Sequence, residues 1–396
     1  MSRRAFDPVL ATSILVVLLA RPWSAAAGDE HAGQAAVNSG QESGAKKDPF
    51  DVPDGTIEEL QRYIEGLNKI QPSSSLRPAN AELRKKRAAA QRKACEKILA
   101  SKPTPEQAQA AVRAKIAAIA LLGRLGDETA PAALEATVEQ VEKLGLKDVL
   151  RPAQLAVLEL RGERAAAMSD QDYGTFVERL KGFLESGPSD AAAAKLAVSV
   201  ALAAEQSNRP ALAVKTFVEL GKVLAENKDG EIAATAAPMF GAARRLELVG
   251  KSFVLDGSTL AGKPLDWKKY RGKVVLVDFF ETSCGPHREE VPEILKCYRA
   301  YRKRGFDVVG VSIDRDRKAI EDFLEREKQP WTVLLDRNEA RGSDKSMATY
   351  YGIFTVPQMI LVGKDGKVLA LNVRGRQLGK KLEELLGPAG REPDRK

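Results

Sequence analysis

The residues that most constrain the fold are 273–280, KVVLVDFF, an apolar run interrupted by a single acidic residue. Such a run is typical of a β-strand buried on both faces, which needs helices above and below it. Similar apolar runs predict further strands at 306–313, 331–335, 358–362 and 368–373. Helical patterns between and after them predict helices at 288–304, 318–328 and 377–386. Strands that alternate with helices and end in a hairpin predict an α/β domain at 247–388, with a mixed central sheet and flanking helices.

Residues 55–246 have a different composition, rich in Ala, Leu, Glu, Arg and Lys and without β-branched runs. Thr104 is followed by Pro105 and by Gln107, which is the pattern of a helix N-terminus with a capping box. Predicted helix pairs recur at intervals of about 40 residues, the spacing of helical-hairpin repeats. The sequence therefore predicts an all-α helical-hairpin region that precedes the α/β domain.

The amino end of the chain has the pattern of an export signal. Arg3 and Arg4 precede the apolar run 9–20, and the small residues 24–27 follow it. An apolar helix of that length reaches about 18 Å, which is too short to span a bilayer. We expect residues 1–27 to be a signal peptide cleaved after Ala27, which leaves no stable transmembrane span.

The expected cleavage leads to an extracytoplasmic location, periplasmic or secreted; an uncleaved signal that anchors the protein to the membrane is the alternative. Residues 28–54 are small, polar and rich in glycine, and they contain His31. This composition predicts a disordered linker. Residues 389–396 are expected to form a flexible tail.

The chain has three cysteines, Cys95, Cys284 and Cys297, too few for a scaffold held by disulfides. Cys95 lies in a predicted helix, where a buried apolar role is expected. Cys297 forms an apolar helical stripe with Ile294 and Tyr301, so it is also expected in the core. About 20 Å of helix separates Cys297 from Cys284, beyond the reach of a disulfide.

Cys284 is the candidate nucleophile, because it precedes Gly285 and Pro286 where a strand gives way to a helix. The amides and dipole at a helix N-terminus favour thiolate over thiol. A second cysteine three residues on would form a redox pair, but His287 occupies that position. One thiol cannot close an internal disulfide, so the usual dithiol cycle is not available within this motif.

His287 allows three interpretations. Residues i and i+3 share a helix face, so it can pair with Cys284 as an imidazolium that stabilises the thiolate. Alternatively it fills the space of a lost cysteine in an inactive site, or it ligates a metal. The sequence leaves these interpretations open.

Charge and cofactor motifs exclude other classes of function. The net charge of +8 is spread over short runs rather than a basic stripe with interleaved aromatic residues, so no nucleic-acid partner is expected. Haem attachment needs Cys-x-x-Cys-His, which Cys-Gly-Pro-His does not match. No cofactor and no metal is predicted.

Four segments carry a resemblance to a known family: KVVLVDFFETSCGPHREEVP, FDVVGVSID, WTVLLD and YGIFTVPQMILVGKDGKV. Together they resemble the thioredoxin fold, and specifically the exported thiol-disulfide oxidoreductases of the TlpA/ResA type within the redoxin superfamily. The resemblance covers residues 249–386, about a third of the chain.

The resemblance implies roles for five site residues. Asp278 is implied to accept or relay a proton near the cysteine. Gly285 and Pro286 are implied to shape the active-site turn. Val356, with a cis bond to Pro357, is implied to pair with a substrate peptide as an added strand.

The sequence departs from the family at two positions, His287 in place of the second cysteine and Ser283 in place of the aromatic residue before the nucleophile. The leading hypothesis is an exported monothiol oxidoreductase that uses Cys284 to exchange with disulfides of proteins or small thiols, in the manner of an isomerase. A non-catalytic binding module, with the helical region as the docking surface for a protein partner, is the alternative. A thiol peroxidase is less favoured, because Glu281 stands where peroxiredoxins place a threonine.

Overall fold

The structure, a computed structural model, describes residues 48–70, 77–336 and 346–389. The predicted signal peptide, most of the predicted linker and nearly all of the predicted tail lie outside these residues. The chain divides into two compact units between Arg164 and Ala165. Within the described ranges, no helix is both long enough and apolar enough to cross a lipid bilayer.

The first unit is helical. Its described helices are α1 (Ile57–Leu67), α2 (Arg77–Ala100), α3 (Pro105–Arg124), α4 (Ala130–Lys143) and α5 (Lys147–Gly162). α3 begins where the sequence predicted, since the backbone N–H of Gln107 donates to the hydroxyl of Thr104 and the side chain of Gln107 accepts from the backbone N–H of Thr104. This reciprocal pair satisfies two of the donors that a helix start leaves free.

Residues 48–54, the end of the predicted linker, lie against the helices of this unit. The ammonium group of Lys97 donates to the carbonyl of Pro53 at 3.0 Å, and the hydroxyl of Tyr63 donates to that of Pro49 at 3.1 Å. Val52 packs on the same apolar cluster as Cys95. The linker composition did not show these contacts, because their partners lie on α1 and α2.

The second unit begins with five helices and continues into the α/β domain. The helices are α6 (Asp170–Glu185), α7 (Ala191–Gln206), α8 (Pro210–Ala225), α9 (Gly230–Ala234) and α10 (Ala236–Leu246), called here the helical layer. The sequence placed a domain boundary at 246, whereas the division into compact units falls between α5 and α6. The helical layer therefore belongs to the same compact unit as the α/β domain.

The α/β domain has a mixed sheet, as the sequence predicted, with six strands instead of the five predicted ones. The strands are β1 (Ser258–Thr259), β2 (Val274–Phe280), β3 (Phe306–Ser312), β4 (Thr332–Leu335), β5 (Gln358–Val362) and β6 (Val368–Leu371), in the order β1-β4-β3-β2-β5-β6. The remaining described α-helices are α11 (Gly285–Tyr301), α12 (Arg317–Glu327), α13 (Met347–Tyr351) and α14 (Gly375–Leu386). β2 runs parallel to β3 and antiparallel to β5. β1 and α13 were not predicted, because each is too short to show a period.

β2 is buried along its whole length, and its two faces enter different cores. Leu276 and Phe280 pack in the cluster that contains the buried residues of α11, while Val277 and Phe279 pack in the cluster on the opposite face. Side chains alternate along a strand, so Asp278 shares the face of Leu276 and Phe280. An acidic residue thus enters the core beneath α11.

Candidate functional site

Cys284 is the N-cap residue of α11, with extended backbone at φ −72° and ψ 109°. Its side chain is partly exposed. The thiol donates to the carbonyl oxygen of Val356, with the sulfur 3.4 Å from that oxygen. The sulfur therefore lies between the first turn of α11 and the loop that carries Val356.

The loop before Cys284 is held by two charged residues that the sequence analysis missed. The carboxylate of Asp314 accepts from the backbone N–H of Thr282 at 3.0 Å and from its hydroxyl at 2.6 Å. The guanidinium of Arg288 donates to the carbonyl of Thr282 at 2.9 and 3.1 Å. A signal for Asp314 existed, because it follows the predicted strand 306–313, and the carboxyl ends of parallel neighbours meet at one edge of the sheet.

His287 and Asp278 form a buried pair beneath the first turn of α11. Each residue is 1% exposed, and His287 Nε2 lies 2.9 Å from Asp278 Oδ2. The imidazole stacks on Phe280, with ring centroids 4.7 Å apart and planes 15° apart. His287 is the first member of the buried stripe of α11 that continues through Val291 and Ile294, which explains its direction toward the sheet.

The pair leaves two polar atoms without partners. Asp278 Oδ1 and His287 Nδ1 are both buried, and neither has a hydrogen-bond partner among the described residues. Buried polar atoms are satisfied in most proteins, and each unsatisfied one costs about 1 to 3 kcal/mol. An ionised carboxylate only accepts hydrogen bonds, so it accepts from His287 Nε2, and a neutral imidazole in this position has its lone pair on Nδ1.

The hydrogen bonds do not join Cys284 to His287. Cys284 bonds to Val356, and His287 bonds to Asp278. The expectation of a shared helix face assumed helical backbone at both residues, whereas Cys284 is an N-cap with extended backbone. Among the described residues, no three His, Cys, Asp or Glu side chains cluster in a way that holds a metal ion.

The loop opposite Cys284 carries a cis peptide bond between Val356 and Pro357. Thr355 is exposed, Val356 is partly exposed, and Pro357 is buried. The backbone N–H of Val356 has no hydrogen-bond partner among the described residues. The guanidinium of Arg374 donates to the carbonyl of Pro357 and so ties the loop to the start of α14.

The other two cysteines are buried and unpaired. Burial raises the pKa of Cys95 to about 12 and that of Cys297 to about 11. Cys297 packs in the core between the sheet and α11, as its apolar stripe predicted. Both thiols therefore stay protonated at neutral pH, and Cys284 is the one cysteine of the three that is partly exposed.

Comparison with known proteins identifies the carboxyl-terminal third of the chain. The redoxin family model matches residues 244–386. The thiol-disulfide oxidoreductase ResA of Bacillus anthracis is 28% identical over 160 residues, which cover 40% of this chain and 87% of the relative. The ResA of Geobacillus thermodenitrificans is 31% identical over 116 residues, which cover 29% of this chain and 62% of the relative.

Among solved structures, the thioredoxin domain of a thiol-disulfide oxidoreductase from Bacteroides vulgatus is 32% identical, with 35% of this chain and 97% of that chain covered and a TM-score of 0.32. The resemblance drawn from the four sequence segments is confirmed by the redoxin match and by the ResA relatives. Residues 244–386 are a thioredoxin-like redoxin domain of the TlpA/ResA type.

Proposed function

We propose that this protein is an exported thiol-disulfide oxidoreductase that works through one nucleophilic cysteine, Cys284. The observation that carries the proposal is the environment of the three thiols. Cys284 is partly exposed at the N-terminus of α11, whereas Cys95 and Cys297 are buried, with pKa values raised by burial. The relatives named thiol-disulfide oxidoreductase support the same class of chemistry.

The proposed reaction is thiol-disulfide exchange without net redox change. The Cys284 thiolate attacks one sulfur of a substrate disulfide, a bond forms between the two sulfurs, and the other substrate sulfur leaves as a thiolate. A second thiol, either a different thiol of the substrate or a small external thiol, then attacks the substrate sulfur of the mixed disulfide, forms a new disulfide with it and releases Cys284 as a thiolate. One disulfide is broken for each one formed, so the substrate is isomerised or exchanged.

Asp278 and His287 are proposed to hold and return the proton of the reacting sulfur. Support comes from their 2.9 Å hydrogen bond, from their burial, and from the His287 Nδ1 atom, which has no hydrogen-bond partner among the described residues. A buried base of this kind takes up a proton when a thiolate forms and returns it when a thiolate leaves. The competing interpretation, in which His287 only fills the space of a missing cysteine, predicts that its replacement leaves exchange unchanged.

Peptides are proposed as the substrates that use the loop at Val356 and Pro357. The free backbone N–H of Val356 supports this, because an extended peptide can accept that hydrogen bond and lie beside the sulfur as an added strand. Gly285 and Pro286, the exposed residues that begin α11, border the same site. A protein partner on the helical region 55–246 stays a prediction.

The deciding experiment measures exchange between two labelled peptides joined by a disulfide. The native protein is expected to catalyse exchange, and Cys284→Ser is expected to abolish it. Cys297→Ser is the matched control, because it changes a thiol on the same helix that does not reach solvent. Exchange that survives in Cys284→Ser contradicts the proposal. Native protein that binds the peptide without catalysing exchange, and binds it equally well as Cys284→Ser, favours the non-catalytic binding module.

Export is proposed from the signal pattern at residues 1–27. Mass spectrometry of the protein from its native host is expected to find a mature chain that begins at Gly28. A chain that keeps residues 1–27 and stays in the membrane fraction supports the uncleaved anchor instead.

A further inference from the structure

The segment that leads into Val356 is held by the helical layer. α13 ends at Tyr351, and residues 352–355 connect it to Val356. At the far end of this short connection, the carbonyl of Val356 meets the sulfur of Cys284 at 3.4 Å. Whatever fixes Tyr351 and its neighbours therefore also restricts where Val356 lies.

Arg245 of α10 fixes the first end of this connection. Its Nε donates to the carbonyl of Tyr351 at 3.0 Å, while Nη1 and Nη2 donate to the two carboxylate oxygens of Glu205 at 2.8 and 2.9 Å. Arg245 is 1% exposed. Glu205 on α7 holds the planar guanidinium of Arg245 in place, so the Nε of Arg245 is a fixed donor to the carbonyl of Tyr351.

Two glycines bring the same backbones into direct contact. A Cβ on Gly241 of α10 would lie 2.3 Å from the carbonyl oxygen of Thr349, and one on Gly352 would lie 2.0 Å from the backbone nitrogen of Ala242. Gly352 also has a φ of +58°, which favours glycine. α10 and the end of α13 therefore approach without side chains between them.

The connection itself is held at one further point. The ring of Phe354 stacks on that of Phe217 from α8, with centroids 5.9 Å apart and planes 3° apart. Phe217 is fully buried. Two of the helices in the layer, α8 and α10, thus contact residues within a few positions of the loop opposite Cys284.

We propose that the helical layer sets the position of the substrate loop, and that Arg245 is a positioning residue for thiol exchange through its bond to the carbonyl of Tyr351. The inference rests on the proposed exchange at Cys284. Arg245 touches neither the sulfur nor the substrate. It acts by keeping Val356 where a peptide strand can lie beside the sulfur, and misplacement by about 1 Å lowers catalysis by up to about a hundredfold.

The test compares two substrates in the full chain carrying Arg245→Lys. A lysine keeps the charge facing Glu205 but cannot also supply the fixed donor to Tyr351. For a peptide disulfide we expect kcat/KM to fall about tenfold, mostly through a higher KM. Loss of peptide binding raises KM and leaves the reactivity of the sulfur unchanged, so the rate with 2,2′-dithiodipyridine, which needs the sulfur but no peptide loop, is expected to change less than about twofold.

Arg209→Lys is the matched control, because Arg209 is the N-cap residue of α8 in the helical layer but donates to Met168, Ala165 and Asp170. It is expected to leave both rates unchanged. If Arg245→Lys does not fold, Glu205→Gln keeps the bond from Arg245 to Tyr351 and should show a smaller rise in KM.

Equal losses with both substrates indicate a smaller folded fraction and overturn the inference, as do unchanged rates. Native protein that exchanges with neither substrate overturns the proposed function and the inference together. If the native protein catalyses peptide exchange and Arg245→Lys has the same kcat/KM for the peptide, the inference alone is overturned.

Discussion

Two buried pairs of polar side chains in the second unit are built in opposite ways. In the helical layer, each side-chain nitrogen of Arg245 has an acceptor, two on Glu205 and one on Tyr351. At the site, Asp278 and His287 share one hydrogen bond and leave Oδ1 and Nδ1 without partners. A fully satisfied buried pair fixes a structure, whereas unsatisfied atoms lower stability and are kept where they serve chemistry.

Removing the arginine should give the largest change in stability. Arg245→Met leaves the carboxylate of Glu205 largely buried without its partner, which costs about 3 to 5 kcal/mol. Chemical denaturation should show the loss as a lower midpoint with a similar slope. A loss below about 1 kcal/mol would mean that the Arg245–Glu205 pair contributes no more to the free energy of unfolding than an exposed ion pair does.

Adding a methyl group between the two backbones should give the next largest change. Gly241→Ala forces a Cβ against the carbonyl of Thr349, and overpacking of this kind costs about 1 to 3 kcal/mol. The control is Gly182→Ala in α6, where a Cβ meets nothing within 4 Å. That control should gain about 0.5 to 1 kcal/mol from helix propensity. Equal effects of the two changes would break the claim that α10 and α13 meet backbone to backbone.

Replacing the unsatisfied pair should produce a smaller change of opposite sign. Asp278→Val combined with His287→Leu removes both unpartnered atoms. Substitution of a buried polar pair by apolar residues is neutral or stabilises the folded state by about 1 kcal/mol or more. Thermal unfolding measures this gain, and peptide exchange should fall at least about tenfold. His287→Leu alone is expected to lose stability, because it strands the carboxylate. If the double variant kept its rate of peptide exchange, Asp278 and His287 would have no role in proton transfer and would only fill space in the core.

The smallest effect is expected at the buried cysteines. Because their pKa values are raised to about 12 and about 11, raising the pH from 7 to 9 should not make Cys95 or Cys297 reactive. Iodoacetamide should therefore modify one thiol per folded chain, at Cys284, and three in denaturant. Peptide mass mapping reads the sites directly. Modification of Cys297 in folded protein at pH 8 would show that α11 opens.

The comparison also explains how much could be predicted from the sequence. The strand at 273–280, the capping box at Thr104 and the burial of Cys297 depend on residues near each other in the chain, and all three are visible as local patterns. Arg245 bonds to a carbonyl 106 positions away, and the carboxylate of Asp314 reaches 32 positions to Thr282. No local period records such pairs, because the fold brings them together.

Cys284 and His287 show a subtler limit. Their spacing places them on one face of an ideal helix, but Cys284 is an N-cap residue with extended backbone, and its thiol donates to the carbonyl of Val356 instead. His287 follows the helical stripe down to β2, where strand alternation presents Asp278. Both residues could be singled out from the sequence, while their pairing depended on the backbone of one N-cap residue.

The meeting of Gly241 and Gly352 bears on how this architecture can be reused. Where two main chains touch with only hydrogens between them, no side chain is available to absorb a change of size. A chimera that transplants the helical layer onto another redoxin domain must therefore carry a glycine at both positions, and a single bulkier residue at either one would hold the grafted modules apart.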